Sequence, residues 1–444
     1  MESEKRNMEV PSTWEAISFD CGVSKIPITG KKIKQKEYLP VGSIPVIDQG
    51  QDYIGGYTND PTKVVDCDLP AIVFGDHTRI VKYVDHVFAP GADGVVVICP
   101  ETFFHSKFFW YLTQFTSSNL TGKGYARHYQ HLRKSSIRVP PFNEQLRILS
   151  KIEELFSELD KGVGSIKTAR EQLKVYRQTV LNNAVTGQLL VQRGYRSSPF
   201  GADELTILED VVDELGQGWS PHCLNHPSPD DAVWCVIKTT AIQHLAFNES
   251  ENKQLPDHLE PRSHLSIKTG DILVTRAGPR KRVGVACLVR SCRPRLMLCD
   301  KAYRLRSNLR KILPEYLEMI LNSPRILGDI ERLKTGISDS GVNLTQQRFL
   351  SLQIFTPSID EQNQTLAELE SVLSNIENAE MQIEVALQKG SSLRQSIMKR
   401  AFSGQLVEQD PNDEPALSLL KRIRTEKTTQ EKNNKKKIKR KDAA

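Results

Sequence analysis

One stretch of this chain occurs twice at a fixed distance. Glu144-Gln145 recurs as Glu361-Gln362, and the same offset of 217 residues, without a gap, carries Arg177-Gln178 onto Arg394-Gln395, Ala184 onto Ala401 and Gly187-Gln188-Leu189 onto Gly404-Gln405-Leu406. Thirteen of the 47 aligned positions from 144 to 190 are identical, too many at one offset to arise by chance. Pro140 likewise maps onto Pro357.

Both copies read as long helices. Apolar or small residues recur at Ile148, Ile152, Leu155, Leu159, Ile166, Ala169, Leu173, Tyr176, Val180 and Ala184, and in the second copy at Leu369, Ile376, Ile383, Ala386, Leu393, Ile397 and Ala401. Alternating steps of three and four are the heptad pattern of a coiled coil. Ile152, Leu159, Ile166, Leu173, Leu369, Ile376, Ile383 and Leu393 are therefore the candidate helix-pair core and partner-docking residues. Prolines mark the starts, and Gly187 and Gly404 the stops. About 42 residues at 1.5 Å per residue span roughly 63 Å. Gly162, Gly164 and Gly390 lie inside these helices; each costs about 1 kcal/mol relative to alanine, so kinks or splits are expected there.

Connectivity then limits the architecture. A globular segment precedes the first helix and a second separates the two helices. If the helices pair, the simplest arrangement is antiparallel, which gives a nearly cyclic, pseudo-two-fold molecule with one head at each end. The expected fold class is α+β, with boundaries at 1–139 (head one), 140–191 (helix one), 192–356 (head two), 357–407 (helix two) and 408–444 (a basic, disordered tail). Short β-like runs bounded by turn residues fall at 71–74, 94–98, 136–139, 271–275 and 283–289, and helices at 105–116 and 314–334.

Composition narrows the class. No apolar run approaches the roughly 18–20 residues of a membrane span, and the first residues lack a signal-peptide pattern, so the cytoplasm is the expected location. The eight cysteines form no Cys-x-x-Cys pair and read as free thiols. His222, Cys223, His226 and Cys235 lack the spacing of known zinc sites; no metal is expected. The net charge of +6 is an end effect, because residues 421–444 carry +8 and the rest about −2. Any case for DNA binding must come from local clusters.

Catalytic patterns are weak. No phosphate loop is present, and Gly162-Val163-Gly164-Ser165-Ile166-Lys167-Thr168 lacks its spacing. Val139-Pro140-Pro141-Phe142 has valine where an amino-methyltransferase motif needs a polar residue. Asp230 with Glu251 and Lys253 formally matches a metal-dependent nuclease pattern, but without the hydrophobic strands that normally carry it. No catalytic residue is expected.

Basic clusters are more telling. Residues 262–310 hold thirteen Lys or Arg against Asp271 and Asp300. Arg276, Arg280, Lys281 and Arg282 crowd one loop, a repulsive arrangement unless phosphate lies nearby; a solvated basic surface is the alternative. In head one, Lys123, Tyr125, Arg127 and His128 stand in a stretch free of acids. These residues, with Gln49, are the candidate DNA contacts. The lysine-rich tail adds either sequence-independent phosphate affinity or solubility.

Taken in order, these residues resemble type I restriction–modification specificity subunits over about residues 10–407. The resemblance rests on Pro-Pro-Phe-Asn-Glu-Gln at 140–145 with Asp360-Glu361-Gln362, and on the matching helix ends. Ile44-Pro45-Val46-Ile47-Asp48-Gln49-Gly50 with Ile54-Gly55-Gly56-Tyr57, and Gly122-Lys123-Gly124-Tyr125-Ala126-Arg127-His128-Tyr129, are similar too. It implies two target-recognition domains reading the halves of a split DNA site, with two methyltransferase and two restriction–translocation subunits as partners. S-adenosylmethionine, ATP and Mg²⁺ would then belong to those partners, and this chain would hold no cofactor. The rival readings are a self-contained nuclease and a coiled-coil scaffold that never touches DNA.

Overall fold

The computed structural model describes residues 11–120, 127–336, 338–423 and 425. The chain divides into two compact units, one of Met1–Ser165 with Ala386–Ala444 and one of Ile166–Val385. Each unit contains one head and half of each long helix.

The first unit contains β1 (Glu15–Ser18), β2 (Val23–Ile26), β3 (Ile44–Ile47), β4 (Gly56–Thr58), β5 (Ala71–Gly75), β6 (Val81–Val84), β7 (Ala89–Pro90) and β8 (Val95–Pro100). Then follow α1 (Ser106–Ser118), α2 (Tyr129–Leu132), β9 (Ser136–Val139) and the first half of α3 (Phe142–Val185). The main sheet has the order β2-β8-β5-β6. Its apolar runs are buried on both faces. Ile72, Phe74, Val96 and Ile98 join the cluster under α1, with Phe108, Phe109 and Leu112. The alternate residues Ala71, Val73, Val95 and Val97 join a second cluster on the other face. That is the two-residue period of a strand covered on both sides. In a smaller sheet, β3 runs antiparallel to β4 and parallel to β7. β1 pairs with β9 and leads the chain into α3.

The second unit begins within α3 and continues through α4 (Gln188–Gln192), β10 (Leu205–Ile207), β11 (Val212–Gln217), β12 (Cys235–Ile237), β13 (Ile242–Gln243), β14 (Ala246–Phe247), β15 (Asn252–Gln254), β16 (Ile272–Thr275), β17 (Ala277–Gly278), β18 (Ala286–Leu288), β19 (Leu296–Met297) and β20 (Ala302–Ser307). It ends with α5 (Pro314–Leu321), α6 (Pro324–Leu333), β21 (Val342–Asn343), α7 (Gln346–Leu350), β22 (Gln353–Phe355) and the start of α8 (Ile359–Phe402). Its main sheet, β11-β20-β16-β18, repeats the first head's order strand for strand. β12 runs antiparallel to β15 and parallel to β19, as β3 does to β4 and β7. β10 pairs with β22 as β1 pairs with β9. The heads share one topology although their sequences align only through the helices. The expected helix at 314–334 is two helices, because Pro324 cannot continue the first and Ser323 caps the second through Ile326 N at 3.4 Å.

The long helices pair antiparallel within each unit. In the first, Asp160 pairs with Arg394 and Val163 faces Gly390. In the second, Arg177 meets Glu380 at 2.9 Å while the later Arg193 meets the earlier Glu368 at 3.0 Å. Each helix runs unbroken for 44 residues, about 66 Å at 1.5 Å per residue. The glycines therefore split neither helix. Gly162 and Gly164 face open space, whereas Gly390 is buried in the seam, where a Cβ would lie 3.0 Å from Val163 Cγ2. Leu393, expected in the core, is 54% exposed: Gly390 and Arg394 face the partner helix, and the leucine points away. Ile152, Leu369 and Ile376 are buried, and Leu159, Ile166, Leu173 and Ile383 half-buried.

The chain does not leave the fold at 407. Residues 416–423 form a further short helix whose Ala416, Leu419 and Leu420 are buried in the first unit's core. Asp413 pairs with Arg147 at 2.7 Å, and Ala416 N donates to Thr13 O at 3.1 Å. The lysine-rich stretch from 426 lies outside the described residues. Among those described, no helix is long and apolar enough to cross a membrane.

Candidate nucleic-acid interface

Each head is fastened to a long helix by the same device. Gln145, fully buried, donates through Nε2 to Phe103 O (2.9 Å) and Pro140 O (3.1 Å), and accepts from His105 N (2.9 Å). Gln362 donates to Lys311 O and Pro357 O and accepts from Leu313 N, all at 2.9 Å. Each amide thus joins the proline that starts its helix to the segment entering α1 or α5. The preceding glutamates diverge. Glu144 accepts from Trp14 Nε1 at 2.9 Å and Gln409 Nε2 at 2.5 Å; burial raises its pKa against the pull of those bonds. Glu361 is also pushed up by burial, but its bonds from Ser358 and Arg196 win and hold it below the usual carboxylate range.

In the first head, the motif at 44–57 is mostly internal structure. Asp48 accepts from Gly50 N (2.8 Å), pairs with the buried Lys82 (3.4 Å) and takes a bond from Tyr38 Oη (3.4 Å). A Cβ at Gly55 would overlap the Asp48 carboxylate, which is why that position is glycine. Gln49 is half-buried; its Oε1 accepts from His77 N at 3.3 Å and its carbonyl from Thr78 Oγ1 at 2.8 Å. Lys123 and Tyr125 lie outside the described residues. On either side of them, Arg79 Nη1 donates to Leu120 O at 2.9 Å, and Asp76 accepts from His128 N and Tyr129 N at 2.9 and 2.7 Å. Arg127 is exposed. His128 is 4% exposed, and burial lowers its pKa, so its ring is not presented at the surface.

In the second head, the crowded arginines have partners of their own. Arg280 pairs with Glu331 (2.8 Å) and Asp339 (2.9 Å). Arg282 Nη2 donates to Thr239 O (2.7 Å) and Ile242 O (2.8 Å). Arg276 Nε donates to Asp300 O (3.0 Å), and the guanidinium lies over the Tyr303 ring. Lys281 is exposed. Elsewhere in 262–310, Arg290 pairs with Glu318, and Arg304 and Arg306 with Glu214. The repulsion that seemed to require phosphate is relieved by carboxylates and carbonyls of the same head.

The same head carries a groove of about 330 Å³ lined by Lys238, Lys253 and Lys301, with Ser220, Thr239 and Asp300 among its other walls. These lysines are far apart in the chain, and only the folding of β12, β15 and the turn before β20 gathers them. The buried glutamines were read only as repeat markers, because nothing in one dimension tells a clamp from a coincidence.

The nuclease pattern does not assemble. Glu251 accepts from Thr240 Oγ1 at 2.6 Å and pairs with Lys238, while Asp230 accepts from Ala232 N at 2.8 Å. Cys235 is buried in an apolar cluster against which Cys223 packs. Among the described residues no group of three or more His, Cys, Asp or Glu could hold a metal.

No family model matches the chain. The EcoEI type I restriction enzyme specificity subunit of Escherichia coli is 34% identical over 194 residues, 44% of this chain and 33% of the relative. The EcoKI specificity subunit of Escherichia coli K12 is 25% identical over 66% of this chain and 64% of its own length. The EcoBI specificity subunit of Escherichia coli is 22% identical over 85% and 80%. The chain thus spans a third and just under two thirds of the first two relatives. Among solved structures, the HsdS subunit from Thermoanaerobacter tengcongensis matches with a TM-score of 0.55 at 15% identity, over 90% of this chain and 99% of that one. A chain from a structural account of type I R-M complex assembly and conformational transition matches with a TM-score of 0.61 at 15% identity, over 89% and 99%. The fold is that of these solved structures, and the sequence similarity is to type I restriction enzyme specificity subunits.

Proposed function

We propose that this chain reads a bipartite DNA sequence for a type I restriction–modification complex and performs no chemistry itself. Each head reads one half-site, and the helix pair fixes the spacer between the halves. Two methyltransferase subunits and two restriction–translocation subunits assemble on it, in the cytoplasm. Adenine methylation, with its S-adenosylmethionine, and ATP- and Mg²⁺-dependent translocation and cleavage belong to those partners.

The observation that carries this reading is the duplication: two heads of one strand order, each clamped by an equivalent buried glutamine to the start of an unbroken helix. Two heads of one topology suit a split target, and their divergent sequences suit different half-sites. Exposed apolar residues on the helices, Val175, Tyr176, Met381, Val385 and Leu393, suit partner docking. Mapping methylated adenines genome-wide in strains with and without the gene tests the reading. A bipartite methylated motif that disappears with the gene is expected; an unchanged methylation map contradicts it.

A further inference from the structure

We propose that the second head holds the DNA backbone in the lysine groove formed by Lys238, Lys253 and Lys301, and that the neighbouring arginine loop shapes this groove instead of contacting DNA. The proposal rests on the DNA-reading function above and assigns it to residues.

The groove is built on the small sheet. Lys253 lies on β15 opposite Val236 of β12, and Lys238 follows directly on β12. Lys301 sits in the turn before β20. Lys253 and Lys301 form no ion pair or hydrogen bond through their ammonium groups among the described residues, and Lys238 has only a long contact to Glu251 at 3.4 Å. The one carboxylate in the lining, Asp300, is taken by Ser220 Oγ. Glu251 offsets Lys238, and the ammonium groups of Lys253 and Lys301 against the single Asp300 carboxylate leave a net positive field in a concave, solvent-filled space. Such a field attracts a polyanion, and lysine serves phosphate as a flexible point charge.

The loop at 276–282 stands behind this wall. Arg276 N donates to Lys301 O at 2.9 Å and its Nε to Asp300 O, fixing one rim. Arg282 ties Thr239 O and Ile242 O, fixing the other. Arg280 is turned toward Glu331 and Asp339. A guanidinium held in two ion pairs must give them up to meet a phosphate, whereas Lys253 and Lys301 give up only water.

The test uses the full chain assembled with its methyltransferase subunits and a pool of random-sequence DNA duplexes, with affinity measured across a salt series. The Lys253→Gln/Lys301→Gln variant should bind roughly tenfold more weakly, and its log–log salt slope should be smaller by about 2, one for each lost phosphate contact. Lys268→Gln, which removes an exposed charge of the same head outside the groove, and Arg280→Ala should each stay within about twofold of wild type. An unchanged slope in the double variant, or a slope that falls only with Arg280→Ala, overturns the groove assignment while leaving the DNA-reading function intact. Wild-type complex that binds no duplex overturns both.

Discussion

Gln145 and Gln362 stand 217 residues apart and make the same three hydrogen bonds, each bridging a helix-starting proline carbonyl to the head in front of it. An alanine at either position strands buried or half-buried backbone groups, at about 1–3 kcal/mol apiece. Gln145→Ala should destabilise the protein by about 3 kcal/mol or more. Gln362→Ala should cost less, because Lys311 lies at the surface, where water can replace the lost donor. Urea unfolding of the two variants checks both the size and the order.

The helix glycines should respond in opposite senses. Gly162 faces open space, so Gly162→Ala relieves backbone entropy and stabilises by about 0.5–1 kcal/mol. Gly390→Leu forces a side chain against Val163 and should cost about 1–3 kcal/mol through overpacking. Thermal unfolding of the pair distinguishes a glycine that is merely tolerated from one the seam requires.

Glu361 predicts a pH dependence. Its pKa is depressed in the folded chain by Ser358 and Arg196, so its contribution is present above the ordinary carboxylate range and is lost as pH falls through the folded value. Glu361→Gln should therefore cost about 1–3 kcal/mol at neutral pH. The gap from wild type should close on acidification. Stability curves for both proteins across pH give the sign directly.

The segment just after α8 should contribute to stability. Truncation after residue 407 removes Ala416, Leu419 and Leu420 from the core, and each buried leucine is worth about 1.5–3 kcal/mol. That variant should unfold at a markedly lower temperature.

The long helices were legible because their signal is local and doubled: an apolar period between proline and glycine, seen twice at one offset. Leu393 was misplaced because heptad counting rewards apolar side chains, while a seam at close approach takes glycine, as at Gly390. The shared topology of the heads could not be read, since strand pairing joins residues far apart, such as Ile72 with Ile98 and Ile272 with Leu305, and many side chains satisfy the same order. Charge misled for a related reason. A run of arginines looks unpaired until folding brings Glu214, Glu318, Glu331 and Asp339 to it. The scattered lysines became a cluster by the same process.

Exchange of a single head tests the central claim most directly. Residues 192–356 are replaced by the corresponding head of a type I specificity subunit, and the adenines methylated by the assembled complex are mapped. One half-site should change while the other half-site and the spacer length stay as they were. A target in which both halves change together, or in which the spacer moves with the head, contradicts the reading that each head recognises its own half-site.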